Sequence, residues 1–300
     1  MKDYASVKEI ASHSERLGFD SVWICDHFNP WHAPIHEPVL EGWTTLSALS
    51  SQTKKVRLGT LVLCNSYRYP QLLAKMASTL DVISDGRLEF GIGAGWYEYE
   101  YDAYGIPFPK TVVRLRQLRE ALQIITKLWT EESCSFNGQY YKLNGAICNP
   151  KPIQRPHPPI WVGGSGEKLT LKIVAEFADG CNIWGATPIQ YKQKLDILKQ
   201  HCENVGRDYD DIQKSWSGVV IIAEDDQALK ERLREFRAKR LLTEQPDQNY
   251  LIGTISECLE KLKQYVDVGV TYFILNFMDV WEPNPLQLFA DNIISTLQRS

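Results

Sequence analysis

The chain has 300 residues, 37 of them acidic and 33 basic, giving a formal net charge of −4. That balance excludes a nucleic-acid binder working through bulk positive charge, and an apolar share of 44% excludes a disordered chain. No apolar run reaches the ~18 residues of a membrane-spanning helix, and the seven cysteines contain no Cys-x-x-Cys pair, so a disulfide framework or zinc finger is not expected. Met1 runs straight into a polar, helix-like stretch with no leader pattern, and the expected compartment is the cytoplasm, with reduced thiols.

In chain order, Val7, Ile10, Ala11, Ser14 and Leu17 fall on one helix face. Gly18 caps that helix and Ser21 to Cys25 read as a buried strand. Arg57 to Leu63 is the next strand candidate, and Leu72 to Leu80 follow Pro70 as a helix. Gly86 precedes a strand at Leu88 to Phe90, and Leu115, Leu118, Leu122, Ile125 and Trp129 mark a long helix. Ser135 to Tyr141 suggest a hairpin turning at Asn137-Gly138, followed by a proline-rich extended arm from Asn149 to Pro159. Strands near Ile160, Gly180, Gly218 and Tyr272 complete a set of seven, with a helix at Leu169 to Phe177 between the first two. Strands alternating with helices predict a parallel α/β sheet closed as a (β/α)8 barrel. The barrel wants eight strands and the chain opens on a helix, so the first strand is expected upstream of Met1. The whole of 1–300 is expected to be one barrel domain with an insertion at about 131–159.

Barrel chemistry sits at the C-terminal ends of the strands, and three places there carry reactive or ligand-binding residue types. Asp26-His27 closes the first strand, offering an imidazole that exchanges protons near neutral pH and a carboxylate to orient it. Gly91-Ile92-Gly93-Ala94-Gly95-Trp96 misses the dinucleotide fingerprint because Trp96 stands where Gly or Ala is required. Its glycines still allow backbone to approach a flat ring. Gly163-Gly164-Ser165-Gly166 joins a strand to a helix, an arrangement suited to a phosphate; Glu167 at its end excludes a nucleophile elbow. His27, His32, His36 and Glu37 invite a metal reading, but Pro30 and Pro34 break any helical ligand pair. Cys64 reads as a small buried hydrophobe. Arg68 fits either an acidic ligand or a surface ion pair, and Arg114, Arg116 and Arg119 fit a solvated helix face.

Taken in order, Leu17 to Trp23 with Asp26-His27-Phe28, Arg57-Leu58-Gly59-Thr60, Pro70 to Met76, Gly86-Arg87-Leu88, Gly91 to Tyr97, Asn149 to Pro152, Gly163 to Gly166 and Ala178-Asp179-Gly180 resemble the luciferase-like flavin and deazaflavin oxidoreductases. Gly95 to Glu98 with Tyr104 to Pro109 is similar to the coenzyme F420-dependent branch. The resemblance spans nearly the whole chain. It implies a homodimeric barrel whose mouth holds an isoalloxazine-type ring, with Asp26 and His27 near its reactive face. It implies a non-proline cis peptide between Leu61 and Val62 behind the ring, with Cys64, Gly93, Gly95 and Trp96 lining the pocket. Gly163, Gly164, Ser165 and Gly166 would hold the phosphate side. The implied reaction moves a hydride between F420 and a small organic substrate, with His27 as acid/base and Asp26 orienting or charge-stabilising it. Trp23, Trp43 and Trp96 are candidate walls, each fitting a core position equally well. The family's sugar-phosphate dehydrogenases carry a Glu where Trp96 stands, so the implied substrate is flatter or more apolar than a sugar phosphate. The alternatives are an FMN-dependent monooxygenase of the same fold and, more distantly, a metal-dependent barrel hydrolase.

Overall fold

The computed structural model describes residues 3–30, 34–239, 242, 250–281 and 283–297. Helix α1 (Tyr4–Arg16) opens on Asp3, whose carboxylate accepts from the Ser6 amide, and Gly18 turns out of it at φ +82°. The chain then enters β1 (Ser21–Ile24), α2 (Gly42–Ser50), β2 (Arg57–Thr60), β3 (Leu63–Cys64), α3 (Pro70–Ile83) and β4 (Leu88–Gly93). A short α4 (Glu98–Ala103) and a 20-residue α5 (Thr111–Thr130) precede the hairpin β5 (Cys134–Asn137) and β6 (Lys142–Ala146). Then follow β7 (Ile160–Gly163), α6 (Thr170–Phe177), β8 (Gly180–Trp184), α7 (Pro188–Val205) and β9 (Gln213–Ala223). After α8 (Asp226–Ala238) come β10 (Tyr250–Thr254), α9 (Ile255–Asp267) and β11 (Tyr272–Phe277). The last helical stretch runs from Pro283–Phe289 through a π turn at Ala290–Ile294.

The strands expected from the sequence form one parallel wall in the order β1, β2, β4, β7, β8, β9, β11, with helices packed outside. Among the described residues no ladder joins β11 to β1; Ser21 and Tyr272 meet there through their hydroxyls at 2.6 Å. Inside the wall Trp23 packs edge-on against Trp161 at 5.5 Å. Outside it, Leu118, Leu122, Ile125 and Trp129 of α5 are buried, and the Trp129 ring meets Phe90 of β4 at 5.1 Å. Each such side chain contributes roughly 1.5–3 kcal/mol by leaving water.

Three local features depart from the sequence reading. Strand β9 runs to Ala223 but β8 stops pairing at Ser217, and β10 pairs with β9 from Val219 onward. That short strand carries no period long enough to identify by itself. The hairpin closes through four residues, with Asn137 opposite Lys142, instead of a tight Asn-Gly turn. The Glu120 carboxylate takes the amides of Gln139, Tyr140 and Tyr141 at 2.8, 2.9 and 3.2 Å and so holds the wider loop. Finally, one predicted strand at Arg57 to Leu63 is two, β2 and β3, both paired with β4. The break between them is a cis peptide at Leu61-Val62, where the resemblance implied it.

Candidate active site

The mouth of the barrel is organised around that break. The Thr60 hydroxyl bridges to β4, donating to the Gly91 carbonyl at 2.7 Å and accepting from its amide at 3.1 Å. Beyond it the half-buried Val62 side chain reaches across the strand ends. A Cβ on Gly93 would stand 2.9 Å from a Val62 methyl, and one on Gly163 would stand 2.7 Å from it. Only strands ending in glycine leave room for this apolar shelf. Gly95, at φ +76°, has no space for a side chain either, because the Tyr101 hydroxyl and the Cys64 sulfur fill it. Those two atoms are 3.0 Å apart. Burial pushes the Cys64 thiol up against the opposing pull of Tyr101, so it stays a protonated, buried hydrophobe.

Asp26 and His27 are neighbours in sequence but have different partners. Both oxygens of Asp26 are engaged by Arg68 in a fork at 2.8 and 2.8 Å, and Oδ2 also accepts the Cys64 amide at 2.9 Å. Burial pushes the Asp26 carboxyl up, with Arg68 and the amide pulling it back. Arg68 is bonded to Glu41 as well, which caps α2 through the Trp43 and Thr44 amides. Arg68 is therefore neither a free ligand for a substrate acid nor a surface pair; it holds the end of β1 to β3 and α2. The expectation that Asp26 orients His27 is corrected accordingly.

The carboxylate on His27 is Glu100, which the sequence reading missed. It is 0% exposed, on α4. Its Oε2 lies 3.0 Å from His27 Nδ1 and accepts the Tyr67 hydroxyl at 2.7 Å. Its Oε1 accepts the amides of Phe28 and Asn29 at 2.6 and 2.8 Å. Burial pushes this carboxyl up, but the bonds from His27, Tyr67 and Asn29 outweigh it and hold it below the usual range. Burial and donation to Glu100 raise the Tyr67 phenol well above its ordinary value, so it remains a donor. The available sequence signal was the Glu-Tyr-Glu-Tyr run after the Gly-rich turn, but nothing local distinguishes buried Glu100 from exposed Glu98.

Aromatic rings cover this acid/base group. His27 meets Trp96 and Tyr97 edge-on, each at 5.7 Å between centroids. Phe28 stacks on Tyr67 at 4.5 Å. Trp96 is 59% exposed and stands at the rim, as a wall requires. The other two candidate walls are structural. Trp23 lies against Trp161 and Tyr272 inside the barrel, and Trp43 is buried on α2. Arg114 is buried over Phe108 and is not a solvated helix residue, whereas Arg116 and Arg119 are exposed on α5, as a solvated face requires, Arg119 pairing with Glu176 at the surface.

After β7 the mouth changes character. Gly164, Ser165 and Gly166 are exposed, and Gly164 adopts φ +126°. The Gly164 amide is bonded to Asn182 at 3.0 Å. Among the described residues, the amides of Ser165, Gly166, Glu167 and Lys168 donate to no protein acceptor, and they precede α6. Lys194 reaches this turn through Glu167 at 2.5 Å. Successive free N–H groups ahead of a helix favour an anion, so the donor set fits the phosphate of a nucleotide-like tail. Of the metal candidates, His32 lies outside the described residues and His36 and Glu37 are exposed; among the described residues no three metal-ligating side chains converge.

Residues 1–245 match the family model described as luciferase-like monooxygenase. An F420-dependent glucose-6-phosphate dehydrogenase of Intrasporangium calvum is 29% identical, covering 97% of this chain and 95% of its own length. A solved F420-dependent secondary alcohol dehydrogenase, in complex with an F420-acetone adduct, superimposes with a TM-score of 0.83 at 25% identity, covering 97% of this chain and 94% of that one. The coenzyme F420-dependent tetrahydromethanopterin reductase of Methanopyrus kandleri gives a TM-score of 0.82 at 21% identity over 98% of this chain and 96% of that one, a likeness of fold.

Proposed function

The chain belongs to the luciferase-like monooxygenase family, and on that premise we propose that it is an oxidoreductase moving a hydride between coenzyme F420 and a small organic substrate. When bound, the deazaflavin ring supplies the carbon that accepts or releases the hydride. The chain's own residues do the rest. His27 holds or takes the proton that accompanies the hydride. Asp26, locked to Arg68, fixes the backbone from which His27 projects. Leu61 and Val62 form the apolar shelf, Cys64, Gly93 and Gly95 leave it clear, and Trp96 covers the rim against water. The amides of the Gly163 to Gly166 turn hold the anionic tail.

One observation carries this reading. A single set of contacts links the three sequence motifs at the strand ends: His27 to Trp96, Asp26 to Cys64, Cys64 to Gly95, and Val62 to Gly163. The aromatic rim favours a flatter or more apolar substrate than a sugar phosphate. Residues 1–300 act as one barrel domain with 131–159 as an insertion, in the cytoplasm. A homodimer is supported by the exposed apolar side chains of α3 and its N-cap, Tyr69 at 69%, Leu72 at 54% and Ile83 at 54%. No described helix is long and apolar enough to cross a membrane. The test is anaerobic: protein, F420 and a panel of alcohols and aromatic carbonyl compounds, followed by deazaflavin absorbance. Bleaching or its reversal without oxygen supports the reading. Oxygen uptake with reduced FMN, and no F420 turnover, moves the assignment to a monooxygenase.

A further inference from the structure

The pattern of donors around Glu100 fixes more than the position of His27. Its Oε1 faces two backbone N–H groups, from Phe28 and Asn29. Its Oε2 faces the Tyr67 hydroxyl and His27 Nδ1. An ionised carboxylate only accepts hydrogen bonds. The imidazole nitrogen against it must therefore carry a hydrogen, which leaves Nε2 as the nitrogen that gains or loses a proton. We propose that Glu100 is the positioning residue of the active site, setting His27 in the Nδ1–H tautomer so that Nε2 is the working atom. The inference rests on the proposed role of His27, but its first test does not.

The same geometry predicts an unusual consequence of an isosteric change. In Glu100→Gln the amide has one acceptor and one donor end. The two backbone amides of Phe28 and Asn29 require the acceptor, so the carbonyl oxygen takes the place of Oε1. The NH2 group then occupies the place of Oε2 and points donors at His27 and Tyr67. Nδ1 can meet it only as an acceptor, so the hydrogen moves to Nε2. A substitution that changes neither size nor backbone contacts thus reverses the tautomer and turns the working nitrogen from a proton acceptor into a donor. Tyr67→Phe removes one bond to Glu100 but leaves the carboxylate, so the Nδ1–H tautomer persists.

The experiment uses ligand-free full-length protein labelled with 15N-histidine, recording long-range proton–nitrogen correlations of the six imidazoles, with His27 assigned by its loss in His27→Asn. The expected wild-type pattern above the imidazole titration range has a pyrrole-like Nδ1 and a pyridine-like Nε2. Glu100→Gln is expected to exchange the two and Tyr67→Phe to keep the wild-type pattern. A wild-type His27 with its hydrogen on Nε2, or a Glu100→Gln spectrum unchanged from wild type, overturns the inference. If Glu100→Gln does not fold, the wild-type and Tyr67→Phe spectra decide it by the same criterion. In turnover the reversal is expected to lower kcat at least tenfold with KM within about twofold, while Glu100→Asp, which keeps the carboxylate, recovers part of the loss; equal loss in Gln and Asp variants marks a structural role and overturns the inference. The spectra hold whether or not F420 is the cofactor, so failure of one reading is distinguishable from failure of the other.

Discussion

After β1, β3 and β4 the barrel mouth is built from side chains that hold one another. Asp26, Arg68 and Glu41 form a chain of ion pairs, and His27, Glu100 and Tyr67 form a chain of hydrogen bonds. After β7 it is built from backbone, with exposed glycines and amides that no side chain satisfies among the described residues. The difference suits two tasks. Moving a proton requires a group whose hydrogen is placed by fixed neighbours. Holding an anionic tail requires donors of fixed direction that need no protonation. The contrast predicts that damage to the first half appears in rate and stability, and damage to the second in cofactor affinity.

The largest effect should come from His27→Ala, which is expected to lower kcat about 10²–10⁴-fold while leaving the F420 dissociation constant within severalfold. Steady-state assays beside a fluorescence titration check it; an affinity loss as large as the rate loss would erase the division between the halves. Next is Arg68→Met. It strands Asp26, 4% exposed, beside no countercharge, and should cost about 3–5 kcal/mol in urea unfolding, much of it recovered by adding Asp26→Asn. A cost below about 1 kcal/mol would show that the fork does not hold this end of β1. On the other side, a Cβ on Gly166 would meet the Thr170 hydroxyl at 2.8 Å. Gly166→Ala should weaken F420 binding roughly tenfold, about 1.4 kcal/mol, with kcat at saturation unchanged and no effect on a deazaflavin lacking the phosphate tail.

The smallest effect is a pH dependence. The Glu100 carboxyl is held below its ordinary value in the folded chain. The stability it contributes is complete above the unfolded value of about 4.3 and is lost as pH falls through the folded one. The difference in unfolding free energy between wild type and Glu100→Gln should therefore narrow as pH falls through that range, measured by urea melts in a pH series. A constant difference would mean that the carboxylate's charge is not what the four donors hold.

The two halves also differed in how far the sequence revealed them. The β7 turn was legible as a turn because Gly163 to Gly166 are four consecutive residues between a strand and a helix. The seven barrel strands were legible for a similar reason, each being a short apolar run after a glycine or turn. Around β1 only Asp26-His27 is local. Glu100 lies 73 residues from His27 and Arg68 lies 42 from Asp26, and adjacency in sequence suggested the wrong pair. Consecutive residues at a strand end point to opposite sides, so Asp26 turned to β3 and α2 while His27 turned to α4. Trp23 and Trp43 stayed open between core and wall because a large apolar ring fits both equally well until its neighbours are known.

The central claim is that this mouth receives a deazaflavin with an anionic tail. The most direct test is equilibrium titration of the purified protein with F420 and, separately, FMN, followed by quenching of its nine tryptophans, one of which, Trp96, stands at the rim. F420 binding at least tenfold tighter than FMN, and weakened by Gly166→Ala, is the predicted result. FMN binding as tightly as F420, or F420 binding indifferent to Gly166→Ala, would contradict it.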